Sequence, residues 1–127
     1  MVSKMRAAEE IIELLEQQGF DTEQGLEICI GDPDIYTEVL ETALEEGKDK
    51  LPLIRSSAEN GDYERYLIEV HGLKNAAKSI GAMELSQMAY AQEMATKQGD
   101  YDRVGQEYGA LLEKYENVLN VLEEALQ

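Results

Sequence analysis

The dipeptide Gly-Asp recurs along the sequence, and the segments between its occurrences have apolar residues at helical spacing. Gly31-Asp32, Gly61-Asp62 and Gly99-Asp100 each place a residue that ends helices before a residue that caps the next one. There is no alternating β-branched run, and no Asn-Gly or Asp-Gly turn joins two such runs. The repeated helix-ending and helix-capping residues, without a strand signal, predict an all-α chain.

Two short helices are predicted at the start of the chain. The first runs from about Ser3 to Gln18. Asp21 caps the second, with Gln24 three residues later as its capping-box partner, and Gly31 ends it. These two helices are expected to form an N-terminal covering unit, residues 1–31.

Longer helices are predicted over residues 32–127. The first of them begins with Asp32 as its cap and Pro33 in its first turn, and Gly47 and Pro52 are expected to break or kink it. The last helix carries apolar residues spaced alternately three and four apart, namely Tyr101, Val104, Tyr108, Leu111, Tyr115, Val118 and Leu122. Such a seam suits nearly antiparallel neighbours. We therefore expect one domain, an up-and-down antiparallel four-helix bundle with two shorter N-terminal helices.

The net charge narrows the choice of partners. The chain has 27 acidic and 11 basic residues and a formal net charge of -16. Because such a surface repels phosphates and anionic lipid head groups, we expect neither a nucleic-acid nor a membrane partner. The single cysteine, Cys29, cannot form an internal disulfide, and no apolar run approaches the roughly 18 residues of a membrane span. A soluble cytoplasmic domain is the expectation.

A local positive island interrupts the acidic background. The segment from His71 to Met83 contains Lys74 and Lys78 and no carboxylate. On a helical wheel, His71 lies roughly 120° from the apolar stripe of its helix, and both lysines lie on the same flank. By themselves these residues fit either a solvated flank or a functional histidine.

The wider pattern around the histidine is more specific. The segment HGLKNAAKSIGAMEL, from His71 to Leu85, resembles the signature of the histidine phosphotransfer (HPt) domain family, approximately His-x-Leu-Lys-Gly-x-Ala-x-x-x-Gly followed by a leucine. Gly61-Asp62 before this segment and Glu93 after it also match the pattern of that family. The similarity extends from about Gly19 to the end of the chain.

The resemblance implies a phosphoryl carrier with three site residues. His71 would accept the phosphoryl group on Nε2, since a neutral imidazole is a competent nucleophile near pH 7. Glu93 stands at the family position for the acceptor that holds the imidazole proton on Nδ1. Lys74 would offset the charge of the phosphoryl group, with Lys78 as a second candidate.

One position departs from the family pattern. Asn75 stands where the family usually has a glycine, and a small residue there lets the partner's backbone approach, so Asn75 would change docking geometry or rate. Gly72, which costs about 1 kcal/mol of helix propensity relative to alanine, either restores the missing room or is a tolerated weak spot. We assign Gly72, Asn75 and Lys78 to the docking surface.

The resemblance also implies the partners, which are a response-regulator receiver domain and a sensor or hybrid histidine kinase. The chain would need no cofactor of its own, because the Mg²⁺ used in such transfers would be held by the receiver. We expect a monomeric carrier without independent catalytic turnover. Two alternatives are an HPt-like scaffold that binds a receiver without phosphotransfer and an unrelated acidic helical adaptor. A scaffold has no need for His71, Lys74 and Glu93 together, so the carrier is favoured.

Overall fold

The computed structural model describes residues 6–127, which form six α-helices. In chain order these are α1 (Ala8–Gln17), α2 (Thr22–Ile28), α3 (Pro33–Glu59), α4 (Tyr63–Ser79), α5 (Met83–Lys97) and α6 (Tyr101–Ala125). No strand occurs within residues 6–127, so the all-α prediction is confirmed there. None of the helices in this range is both long enough and apolar enough to cross a membrane.

The aspartate caps are in the predicted places. The side chains of Asp21, Asp32, Asp62 and Asp100 each accept a hydrogen bond from a backbone N–H in the first turn of α2, α3, α4 and α6. These bonds satisfy N–H groups that have no partner inside the helix. The capping box predicted with Gln24 is only half made, because the N–H of Asp21 donates to the carbonyl of Gly81 at 2.8 Å.

The predicted limits of the two N-terminal helices need correction. The predicted start of α1 at Ser3 lies outside the described residues, but Arg6 and Ala7 are not helical. The second helix ends at Ile28 and not at Gly31, because Ile30 already has a φ of +58°.

The predicted break at Gly47 and Pro52 was wrong, since α3 continues through both as one helix of 27 residues, and the kink remains a prediction. Pro52 is exposed, so water can satisfy the carbonyl that its missing N–H leaves free. Gly47 is buried, and a Cβ atom there would collide with the side chain of Leu119 on α6. Gly47 therefore permits the close approach of α3 and α6 and does not interrupt the helix.

The four longer helices contact one another in closed order, α3 with α4, α4 with α5, α5 with α6 and α6 with α3. The helix α1 packs on α3 and α6, where Ile11 and Leu15 are completely buried. The helix α2 contacts α3 and α4. Tyr36 and Tyr66 are the largest of the completely buried side chains in this common core. The core thus holds the α4–α5 pair, on which the predicted site lies.

Most of the apolar seam of α6 is buried. Val104, Leu111, Tyr115, Val118 and Leu122 belong to the core, and Tyr108 packs against it. The first seam residue is exposed, but its ring stacks on Tyr63 at the start of α4, with ring centroids 3.7 Å apart. The seam therefore extends to the surface through an aromatic pair.

Candidate functional site

His71 lies midway along α4, and 55% of its side chain is exposed. Its Nδ1 lies 2.5 Å from Oε2 of Glu93 on α5. Because an ionised carboxylate can only accept, Nδ1 carries a proton, and in the neutral ring the lone pair is then on Nε2. The contact thus selects one tautomer of the neutral imidazole, in which the nucleophilic nitrogen is not bound to the carboxylate.

Glu93 is buried, with 1% of its side chain exposed, yet three cationic or proton-donating groups surround it. Besides His71, the ammonium of Lys74 lies 2.7 Å from Oε1, and that of Lys97 lies 3.5 Å from Oε2. Burial by itself would raise the pKa of Glu93, but the hydrogen bonds from Lys74 and His71 outweigh it and lower the pKa from 4.5 to about 2. Glu93 is therefore ionised at neutral pH.

Two side-chain hydrogen bonds hold α4 and α5 in register. The hydroxyl of Ser86 donates to the backbone carbonyl of Lys74 at 2.9 Å, and the hydroxyl of Tyr66 donates to Gln92 at 2.5 Å. The tight turn at Gly81, which has a φ of +82°, joins the two helices. Along α4, His71 lies between these two contacts, and Glu93 directly follows Gln92 on α5, so the packing of the hairpin brings His71 and Glu93 together.

The three residues predicted for the chemistry therefore meet at one point. Lys74 contacts Glu93 directly and also lies over the ring of Tyr90, with Nζ 5.6 Å from the ring centroid. Its ammonium is thus bound to the same carboxylate that contacts the imidazole, and Lys74 follows His71 by one helical turn.

The three residues predicted for docking surround the imidazole less closely. Asn75 is exposed, and its Nδ2 is 3.5 Å from Nε2 of His71, at the limit of a hydrogen bond. Gly72 is exposed, and a Cβ atom there would meet nothing within 4 Å. Lys78 is exposed one turn beyond Lys74 and makes no ion pair with any described residue. These residues line the surface around His71 without contacting Glu93.

Sequence reasoning missed two features of this region. Lys97 follows Glu93 by one helical turn on α5, and a glutamate four residues before a lysine is a recognisable helical pair. The second feature is a second buried carboxylate, that of Glu69 on α4, which pairs with Lys50 at 3.3 Å and with Arg65 at 3.0 Å. Only the pair with Arg65 could be predicted from the sequence, because the two residues are four apart on one helix, whereas Lys50 lies on α3.

In a comparison with protein families, the model of the Hpt domain family matches residues 38–126. The match includes the histidine, both lysines of the positive island, and Glu93. No curated protein matches the chain in sequence.

Solved structures with a similar fold are HPt proteins of bacteria and a plant. The HPT domain of a sensor hybrid histidine kinase from Shewanella has a TM-score of 0.76 at 17% identity, over 83% of this chain and 91% of that one. Histidine-containing phosphotransfer protein B from Pseudomonas aeruginosa has a TM-score of 0.66 at 19% identity, over 81% and 86%. A putative histidine-containing phosphotransfer protein from rice has a TM-score of 0.58 at 18% identity, over 92% and 94%. At these identities the likeness concerns the fold.

Proposed function

The chain belongs to the Hpt domain family, whose role is phosphotransfer in two-component phosphorelays, and we propose that His71 is the residue that carries the phosphoryl group. The observation that supports this assignment is the contact between Nδ1 of His71 and Glu93. In the neutral ring this contact keeps the proton on Nδ1 and the lone pair on Nε2, and the half-exposed ring is accessible to a phosphorylated partner.

In the proposed transfer, the Nε2 lone pair attacks the phosphorus of an aspartyl phosphate on a receiver domain. The N–P bond forms as the bond from phosphorus to the aspartate oxygen breaks, and the aspartate leaves as a carboxylate. The proton stays on Nδ1, so the phosphorylated ring carries a positive charge. Glu93 stabilises that charge because it is ionised and 2.5 Å away.

Lys74 has two parts in this proposal. It holds Glu93 ionised through the contact of 2.7 Å, and its charge offsets that of the phosphoryl group one helical turn away. Lys78, Gly72 and Asn75 form the docking surface for the receiver. Because the carrier accepts and returns one phosphoryl group, it has no catalytic turnover of its own. It needs no cofactor, and the Mg²⁺ of the transfer is bound by the receiver.

We further infer the arrangement in which this site is held. The closed order of contacts among α3, α4, α5 and α6 supports an antiparallel up-and-down four-helix bundle over residues 32–127, with residues 1–31 as a covering unit. The proposed carrier is a cytoplasmic monomer. It exchanges phosphoryl groups with a receiver domain and with a sensor or hybrid histidine kinase, and binds neither nucleic acid nor membrane.

Incubation with a phosphorylated receiver domain and Mg²⁺ tests this function. The chain should acquire a phosphate that is labile in acid and stable in base, as expected for a phosphohistidine. His71→Gln should acquire none and should melt at nearly the same temperature, because about half of the side chain is exposed and the glutamine amide can still donate to Glu93.

The same experiment distinguishes the carrier from a scaffold. A scaffold would bind the receiver in a pull-down or titration with equal affinity in both proteins and would acquire no label in either. Label that survives in His71→Gln would show that another residue is the acceptor, since the chain has no second histidine.

A further inference from the structure

Asn75 lies one helical turn after His71 on α4, beside the ring nitrogen that Glu93 does not contact. Its Nδ2 is 3.5 Å from Nε2 of His71, whereas Oε2 of Glu93 is 2.5 Å from Nδ1. Nε2 of the neutral ring is an acceptor, so the amide presents its N–H groups to it and not its oxygen. The imidazole thus lies between an acceptor at one nitrogen and a donor at the other.

No other side chain of residues 6–127 forms a hydrogen bond with Nε2. Asn75 is itself exposed, and its amide has no second hydrogen-bond partner in that part of the chain. The ammonium of Lys74 is bound to Glu93 at 2.7 Å. Within the described residues, the Asn75 amide is therefore the one side-chain donor in contact with the nitrogen that would carry the phosphoryl group.

Phosphorylation of His71 would change what this donor can bind. The lone pair of Nε2 is used in the N–P bond, so Nε2 no longer accepts a hydrogen bond. The phosphoryl group bonded there carries about two negative charges on three strong acceptor oxygens. Because the side chain of Asn75 is exposed, it can rotate away from Nε2 and donate to one of these oxygens. A hydrogen bond to a charged acceptor is stronger than one to a neutral imidazole.

We propose that Asn75 donates a hydrogen bond to the phosphoryl group on His71 and prolongs the lifetime of the phosphohistidine. This role rests on the proposed function of His71 and is additional to the docking role of Asn75. Phosphohistidine is lost when a water oxygen bonds to phosphorus and the N–P bond breaks. The electron pair of that bond returns to Nε2, and both protons of the water leave with the inorganic phosphate.

The hydrogen bond slows this loss because it is stronger before the reaction than during it. In the loose, metaphosphate-like transition state, the phosphoryl oxygens carry about one negative charge less than in the phosphohistidine. A donor on these oxygens therefore binds the ground state more tightly than the transition state, and the barrier rises.

The lifetime is measured without a receiver, so that docking plays no part. The full chain is phosphorylated with phosphoramidate or with a phosphorylated receiver, the donor is removed, and phosphorus NMR follows the loss of phosphate at neutral pH. Asn75→Ala removes the amide, and Asn75→Asp keeps its shape but replaces the donor with a carboxylate. Asn120→Ala is the matched control, because Asn120 is exposed on α6.

Asn75→Ala should lose its phosphate about fivefold faster than the unmodified chain, the effect of one ordinary hydrogen bond. Asn75→Asp should lose it at least as fast as Asn75→Ala, because a carboxylate cannot donate and repels the phosphoryl oxygens. Asn120→Ala should lose it at the rate of the unmodified chain. Circular dichroism confirms that each variant is folded.

Three results would overturn the proposal. These are equal lifetimes in Asn75→Ala and the unmodified chain, a phosphohistidine in Asn75→Asp as long-lived as in the unmodified chain, and an equal loss of lifetime in Asn120→Ala. In each of these cases His71 is still labelled, so the phosphotransfer function stands. Absence of phosphate on His71 from either donor would instead overturn that function together with the role of Asn75.

Discussion

Replacing the buried carboxylate with its neutral isostere, in Glu93→Gln, should change how the stability of the protein depends on pH. The pKa of Glu93 is lowered from 4.5 to about 2 in the folded state, where Lys74 and His71 stabilise the ionised form against the opposing effect of burial. A group with a lowered folded-state pKa stabilises the fold above its unfolded-state pKa. That contribution is present at neutral pH and is lost as the pH falls from about 4.5 towards 2.

The size of the effect follows from the shift. Each pKa unit corresponds to about 1.4 kcal/mol, so the lowering of the Glu93 pKa corresponds to about 3 kcal/mol of unfolding free energy. Glu93 is almost completely buried, so solvent does little to reduce this interaction. The difference in unfolding free energy between the unmodified chain and Glu93→Gln should therefore shrink by about 3 kcal/mol between pH 7 and pH 2.

Urea unfolding at a series of pH values measures this difference. Far-UV circular dichroism serves as the signal, because the chain has no tryptophan. Glu113→Gln is the matched control, since Glu113 is exposed on α6 and makes no ion pair with any described residue. Its unfolding free energy should follow that of the unmodified chain at every pH. A difference for Glu93→Gln that does not change with pH would show that Glu93 is not held ionised by its neighbours.

Three further substitutions test the neighbouring structure. Lys74→Ala should lower the unfolding free energy by about 2 kcal/mol, because it leaves a buried carboxylate without its closest cation, and should slow phosphoryl transfer. Lys78→Ala should leave the unfolding free energy unchanged and slow transfer less, and equal effects of the two substitutions would contradict the geometry. Gly81→Ala should lower the unfolding free energy by about 2 kcal/mol or more, and Gly99→Ala by about 1 kcal/mol. Both glycines have a positive φ, but only at Gly81 would a Cβ atom collide with the carbonyl of another segment. Equal melting temperatures of the two variants would refute this. Ile30→Gly should raise the unfolding free energy by about 1 kcal/mol, because the φ of +58° strains the backbone of Ile30 and its side chain is 87% exposed. An unchanged melting temperature would mean that this backbone strain is absent.

The features that sequence analysis predicted well depend on neighbours along the chain. An aspartate before a helix caps it through the helix's own first turn, and all four predicted caps are present. The positive island around His71 was visible because Lys74 and Lys78 share a helix with it. The family resemblance added Glu93, and the structure places this residue against the imidazole.

The features that were missed or wrong depend on contacts between helices. Pro52 was expected to disturb α3, but its exposure and the packing of α3 on α6 keep the helix continuous. Lys50 is paired with Glu69 only because α3 lies against α4. Neither outcome is encoded in a local pattern, since each depends on which face of a helix meets another element.

The contact of Gly81 with the N-terminal segment has a consequence for transplanting the site into another protein. The turn that joins the two helices of the site accepts a hydrogen bond from the N–H of Asp21, and a Cβ atom on Gly81 would collide with the carbonyl of the same residue. A position that belongs to the signature around His71 is thus constrained by a segment remote in sequence. A graft of residues 63–97 alone would carry every residue proposed for the chemistry, but it would lack the hydrogen bond from Asp21 to the turn at Gly81. A designer would therefore need to include the segment around Asp21 to keep the imidazole and Glu93 in register.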